Sequence, residues 1–366
     1  MDSDPTDGDP TASRLSGLRF SDPHLDPAYV HRLVAPGGDQ PLPSAPRVLS
    51  CEIVGAGTTR GLEDWLSETW ATSLVVVAGG DVVHEWYADG VGPGTLFLGA
   101  SMSKSLLAQL VDRALASGAL ALTDPVTSHV PELAGSGYDG TTVLDVLTMT
   151  SGVDWVEDHR DPTSLASRLL ACFPGGDSRA LLREVRPGVP PGRRWTYCTA
   201  DSQVLDWVRE RATGLPFHQA MGALWVELAC SSPASVGLDA QDVDLAGGGC
   251  AATARDWARV AADVPEETAR PAYPFTRVGR LPSSITSFAG FGRHWWPMDD
   301  DGHRVTADGS RGQFAATDRR TGAVVVKTSL WPYEDFLVDR QARDLSYLGL
   351  HALLDAVAPP TPSTTL

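Results

Sequence analysis

The chain has 366 residues, 42% of them hydrophobic, which is enough to bury one large core or two coupled ones. Its 46 acidic residues against 29 basic ones give a formal net charge of −17. That balance excludes nucleic acid and anionic membrane as expected partners, because both would repel it.

The first 20 residues are polar and acidic, with Asp2, Asp4, Asp7 and Asp9 and no apolar h-region, so no secretory signal is expected. No apolar run reaches the length of a membrane span. The five cysteines, Cys51, Cys172, Cys198, Cys230 and Cys250, are widely spaced without a C-x-x-C pair, and together these features point to a reduced, cytoplasmic protein. Residues 1–46, rich in Pro, Asp and Gly, read as an irregular arm.

Leu74 to Ala78 and Val82 to Tyr87, joined through Gly79-Gly80-Asp81, predict a β-hairpin, and a short strand from Thr95 to Leu98 follows. From Leu106 the residues Leu106, Leu107, Leu110, Val111, Ala114 and Leu115 recur at helical spacing, with Gln109, Asp112 and Arg113 opposite. The spacing predicts an amphipathic helix beginning near Ser101. Helical patterns broken by Pro and Gly then fill residues 121–252, including Val143 to Met149, Leu165 to Cys172, and Ala200 to Ala212 before Gly214. Strands return at His303 to Ala307, Gln313 to Thr317 and Ala323 to Ser329, a closing helix is predicted from about Glu334 to Val357, and residues 358–366 form a Pro/Thr tail. Strands at both ends with helices between imply an α+β domain assembled from residues 47–120 and 253–357, with a mostly helical domain at 121–252 inserted.

The chain contains only two lysines, Lys104 and Lys327, and Lys104 stands three residues after Ser101 in Ser101-Met102-Ser103-Lys104. On the predicted helix Lys104 shares a face with Leu107, Ala108, Val111 and Leu115, so it points toward the core. Desolvation favours the neutral amine, which can take a proton from a hydroxyl, and Ser101 lies about one turn away at the positive end of the helix. Such a pair needs a proton shuttle and a second oxyanion donor. Tyr197, ahead of a predicted helix N-terminus, and Gly309-Ser310-Arg311-Gly312-Gln313, at the start of a late strand, are positioned to supply them.

With these segments in order, the chain resembles the serine β-lactamase superfamily, in particular its class C-like esterases and the 6-aminohexanoate-dimer hydrolase branch. Ser101-Met102-Ser103-Lys104 matches the first motif, Tyr197-Cys198-Thr199 the Tyr-x-Asn/Ser/Thr motif, and Ser310-Arg311-Gly312 sits where the family has Lys-Thr-Gly, His-x-Gly or Trp-x-Gly. Supporting stretches are Leu147 to Trp155, Gly247-Gly248-Gly249 with Thr253 to Arg259, and Gly290 to Trp296. The resemblance implies a β-lactamase/transpeptidase-like α/β/α sandwich with a central antiparallel sheet. It implies that Ser101 is the acylated nucleophile, Lys104 its base, Tyr197 the proton shuttle, and the backbone N–H groups of Ser101 and Gln313 the oxyanion hole. Ser310, Arg311, Gly312, Trp155 and Thr199 become substrate-binding candidates. Tyr197 would need a depressed pKa or a tight hydrogen bond to Lys104 to act as a base near neutrality. Gly312 is expected to leave room for a substrate along the strand.

Two departures lead away from penicillins: Ser310 replaces the third-motif lysine and Thr199 replaces the asparagine of lactamases. Trp155, Trp195, Trp295, Trp296 and Trp331 fall near the motifs, where core packing is the commoner role and an acyl pocket wall the sharper one. Asp154 and Glu157 are loop carboxylates that could meet a substrate amine. Nine dispersed histidines form no metal-ligand spacing, and Gly-x-Ser-x-Gly is absent because residue 103 is serine. The expected activity is cofactor-free and metal-free hydrolysis of a small amide or ester. True β-lactamase or D-amino acid peptidase activity is the nearest alternative, and a non-catalytic ligand sensor on the same scaffold is the alternative from another class. The expected partner is a small-molecule substrate, with a homodimer left open.

Overall fold

The computed structural model describes residues 18–55, 57–159, 161–274, 289–332 and 340–359. Six strands form the main antiparallel sheet, in the spatial order Trp296–Pro297, Arg304–Gly309, Gln313–Asp318, Ala323–Ser329, Ala71–Ala78, Asp81–Tyr87. The early hairpin thus joins the late meander edge to edge, with Val77, Val76 and Val75 opposite Val324, Val325 and Val326.

These valine runs are apolar on both sides because both sheet faces are covered, and side chains alternate between two cores. Leu74, Val76, Phe314, Ala316 and Val325 pack with Trp65 of the Leu62–Glu68 helix and with Tyr347, Leu350 and Leu354 of the Arg340–Val357 helix. Val75, Val77, Ala315, Val324 and Val326 pack with Leu106 and Leu107 of the Met102–Ala116 helix and with Trp257 and Ala258 of the Ala254–Ala262 helix. The result is the expected α+β arrangement, a helix–sheet–helix sandwich whose sheet is antiparallel.

Two local expectations are corrected, and a third falls outside the described residues. The arm is not irregular throughout, because His31–Val34 is a strand that pairs along Ala234–Gly237 in a second sheet, ordered His31–Val34, Ala234–Gly237, Cys250–Ala252, Phe97–Leu98. Pro and Gly nearby masked a four-residue segment whose backbone satisfies an otherwise open edge. Gln109 does not face water: it is fully buried and its Nε2 donates to the Val260 carbonyl at 2.6 Å. Residues 102–111 of the Met102–Ala116 helix are buried all round, whereas Asp112 and Arg113 on the expected polar side are half-buried. The closing helix is described from Arg340, and the expected start at Glu334 lies outside the described residues.

The middle of the chain carries helices at Val126–His129, Val143–Leu147, Leu165–Leu170, Cys172–Gly175, Ser178–Leu182, Thr199–Thr213 and Phe217–Glu227. Thr142 and Asp145 form a reciprocal capping box on the Val143–Leu147 helix, and Gly214, at φ 72°, ends the Thr199–Thr213 helix in the left-handed conformation. No helix among the described residues is long and apolar enough to cross a membrane.

Candidate active site

Ser101 sits at the N-terminus of the Met102–Ala116 helix, directly after Ala100, whose φ of 46° is left-handed without a glycine. Such a turn costs about 1–3 kcal/mol and persists where its surroundings hold it. The Ser101 side chain makes no capping hydrogen bond, so its hydroxyl is available to Lys104. Lys104 is 3% exposed, and its Nζ lies 3.0 Å from Ser101 Oγ and donates to the Gly247 carbonyl at 2.6 Å. Burial lowers the Lys104 pKa to about 8, against the charge of Glu157, which favours the ammonium.

The intervening Ser103 has a structural task. Its Oγ accepts from the Cys250 backbone N–H at 2.9 Å, fastening the segment after Gly247-Gly248-Gly249 to the helix. The Tyr29 hydroxyl of the arm donates to the Gly249 carbonyl at 2.7 Å on the same segment.

Tyr197 is brought in by the facing stretch from Thr148 to Gly152. The Met149 carbonyl accepts from Thr196 N at 3.0 Å, with Met149 itself left-handed at φ 57°. The Tyr197 side chain faces that of Ser101, which works to lower the phenol pKa, and Lys104 Nζ lies 5.4 Å from the centre of the Tyr197 ring. Contrary to the depressed value that a resident base would need, burial first and then the Glu157 charge push the phenol pKa well up. Tyr197 is therefore a neutral phenol that can pass a proton, not a standing phenolate. Its ring stacks on Trp296 at 5.8 Å, and the half-buried Trp195 meets Trp296 edge-on at 6.1 Å. Trp295 and Trp331 are buried packing residues, bonded to the carbonyls of Ser105 and Thr69.

The late strand closes the site. A Cβ at Gly309 would lie 2.1 Å from the Gly99 carbonyl, so only glycine lets the end of the Arg304–Gly309 strand approach the turn before Ser101 this closely. Gln313 opens the strand opposite Gly309 and its Nε2 donates to the Ser329 carbonyl at 2.6 Å and to that of Arg311 at 3.2 Å. Gly312 is required by the fold itself: its φ is +85° and an added Cβ would stand 2.5 Å from the Trp331 ring. Gly312→Ala is accordingly expected to destabilise the fold by roughly 3 kcal/mol, read from urea unfolding midpoints. Ser310 is half-buried. Arg311, left-handed at φ 62°, lies over the Phe20 ring at 5.6 Å and donates to the Trp331 carbonyl at 3.3 Å.

Glu157 is the residue whose part sequence reasoning misjudged. Its side chain is 12% exposed, and its oxygens accept from Thr199 N at 2.9 Å, Thr199 Oγ1 at 2.5 Å and Trp155 Nε1 at 2.6 Å, with His159 Nε2 at 3.3 Å. Burial works to raise its pKa, yet His159, Lys104 and Thr199 hold it down at about 2, so it is charged. A carboxylate engaged by four protein donors is not displayed to a substrate amine, and the Trp155 and Thr199 polar atoms are spent on it. Asp154, by contrast, is exposed and lines a cleft with Arg168, Arg183 and Arg186.

Known proteins align with this geometry. The Beta-lactamase family profile matches residues 62–348. The 6-aminohexanoate-dimer hydrolase of Paenarthrobacter ureafaciens is 32% identical over 299 residues, 75% of this chain and 76% of its own. Esterase EstB of Burkholderia gladioli is 36% identical over 142 residues, 36% of either chain. Among solved structures, EstCE1, a hydrolase with promiscuous acyltransferase activity, superposes with a TM-score of 0.61 at 17% identity, over 81% of this chain and 96% of its own. The motifs, the fold and the relatives converge: the chain belongs to the beta-lactamase family, on its esterase and 6-aminohexanoate-dimer hydrolase branch, and is a serine hydrolase of that type.

Proposed function

We propose that the protein cleaves a small amide or ester through an acyl-enzyme on Ser101. The observation that carries this reading is the buried Lys104 amine 3.0 Å from the Ser101 hydroxyl, with a pKa near 8. The free amine takes the Ser101 proton as Oγ bonds to the substrate carbonyl carbon. The Gly247 carbonyl retains one N–H of the amine, which leaves the lone pair for Oγ. The resulting oxyanion is assigned to the backbone N–H groups of Ser101 and Gln313, and the close approach of Gly309 to Gly99 supports that pairing. As the C–N or C–O bond breaks, the Tyr197 phenol protonates the leaving group and recovers its proton from the Lys104 ammonium. Water then loses a proton along the same path and attacks the acyl carbon, and Ser101 departs protonated.

The third motif carries no lysine, and the guanidinium of Arg311 is engaged by Phe20 and the Trp331 carbonyl. Linear substrates suit this site better than β-lactams. The relatives are named for hydrolysis of the 6-aminohexanoate dimer and for esterase activity, which supports the same leaning. The test is a panel of short p-nitrophenyl esters, a linear amide and nitrocefin, with fluorophosphonate labelling mapped by peptide mass. Rapid release from esters or the amide, slow release from nitrocefin and label on Ser101 are expected. Label on another residue, or no turnover and no label, would overturn the proposal.

A further inference from the structure

The carboxylate of Glu157 lies between the loop that carries Trp155 and the first residue of the Thr199–Thr213 helix. Two of its contacts, from Thr199 N and Thr199 Oγ1, fall on the residue two places beyond Tyr197. The others, from Trp155 Nε1 and His159 Nε2, hold it to its own loop. The Cys198 side chain makes no cap for that helix, so Glu157 is what satisfies its first N–H, at the end where a negative charge is favoured. The titratable groups facing Glu157 are Lys104 on the nucleophile helix, His159 on its own loop, and Tyr197, Cys198 and Asp201 on the facing segment. Those facing Lys104 are Glu157, Cys198 and His294. Glu157 is thus the one fully charged anion named among the groups acting on both the base and the shuttle.

We infer that Glu157 is a positioning residue for the hydrolytic reaction: it fixes the Tyr197 segment to the Trp155 loop and supplies the negative charge that retains the Lys104 proton. The inference rests on the reading of Lys104 as the base. It makes one carboxylate serve two ends. Mechanically, it sets the distance from the phenol to Ser101 by clamping the helix start. Electrostatically, it opposes the desolvation that would otherwise make the Lys104 amine a weaker base, since an amine that holds a proton more tightly also accepts one more readily. Its own charge persists through the working range because its pKa is about 2.

The experiment is the rate of fluorophosphonate labelling of Ser101 against pH, for the full chain and for Glu157→Gln and Glu157→Asp, with melting temperatures measured alongside. Glu157→Gln removes the charge and keeps one acceptor oxygen. Its limb, on which labelling rises with pH, is expected to move roughly one pH unit below that of the wild type, with a plateau about tenfold lower. Glu157→Asp keeps the charge on a shorter stem, so its limb should stay near 8 while its plateau falls. A loosened structure alone would lower the plateau without moving the limb. An unmoved limb in Glu157→Gln, with the fold retained, would overturn the inference. Failure of the underlying reading looks different: Lys104→Ala would then label Ser101 at the wild-type rate, whatever the Glu157 variants do.

Discussion

Lys104→Met is expected to slow acylation of Ser101 by about 10³-fold at pH 8, within the range that a positioned general base contributes. Methionine follows the lysine stem as far as Cε and suits a site that is 3% exposed, so the helix should survive the change. The Gly247 carbonyl loses its 2.6 Å donor, a penalty of roughly 1–3 kcal/mol, but the cost of keeping an amine in a dry site also disappears. The pH profile separates this from general damage. With a Lys104 pKa near 8, about one tenth of the wild-type amine is free at pH 7 and about nine tenths at pH 9, so labelling should rise steeply between them. The Met variant should be slow and flat across that interval. Tyr197 cannot take over as the base, since burial and the Glu157 charge keep its phenol protonated. A Met variant whose rate still rises through pH 8 would assign the base to another group.

The contact between Lys104 and Ser101 was legible because the spacing that makes it is local. Three residues on a helix bring Lys104 to Ser101, and the apolar company of Leu107 and Val111 announces that the amine is buried. The strands were legible for a similar reason, since Ala323 to Ser329 is a run that only a doubly covered sheet explains. Glu157 was not legible, because its significance comes from Thr199, 42 residues away, and from a loop whose sequence looks like an exposed turn. The structural reason for Gly312 was not legible, since the Trp331 ring that a Cβ would meet arrives from beyond the next strand's end. Gln109 shows the same limit from the other side: a polar residue on a predicted polar face is buried where that part of the helix is enclosed on every side. Periodicity gives the direction of a side chain but not what lies there.

The second large effect concerns stability and falls on Asp201, three residues into the helix that follows Tyr197. Ser151 Oγ and the Tyr138 hydroxyl both donate to its Oδ1, at 2.8 and 3.1 Å, and Cys198 is its other neighbour. Burial nevertheless dominates, with the Glu157 charge adding to it, and the pKa rises to about 7 even at a helix N-terminus. A carboxyl whose folded value lies above its unfolded value of 3.8 binds its proton more tightly when folded. Its contribution is fully present below about pH 3.8 and is lost as pH rises toward 7. Asp201→Asn presents the same Oδ1 acceptor to both hydroxyls and has no charge to bury. It should therefore gain little on the wild type at pH 4, roughly 0.5 kcal/mol, and about 4 kcal/mol at pH 8. His294 acts in the opposite sense. Its pKa is lowered to about 3 by burial, so it removes stability as pH falls below 6.5, but it does so equally in both proteins and cancels from the difference. Urea midpoints for the two proteins at pH 4, 6 and 8 measure the effect. A difference that widens steadily with pH places the ionisation of Asp201 in the folded protein near neutrality, whereas a constant difference would mean that the carboxyl is charged throughout and that the three-donor nest, not burial, controls it.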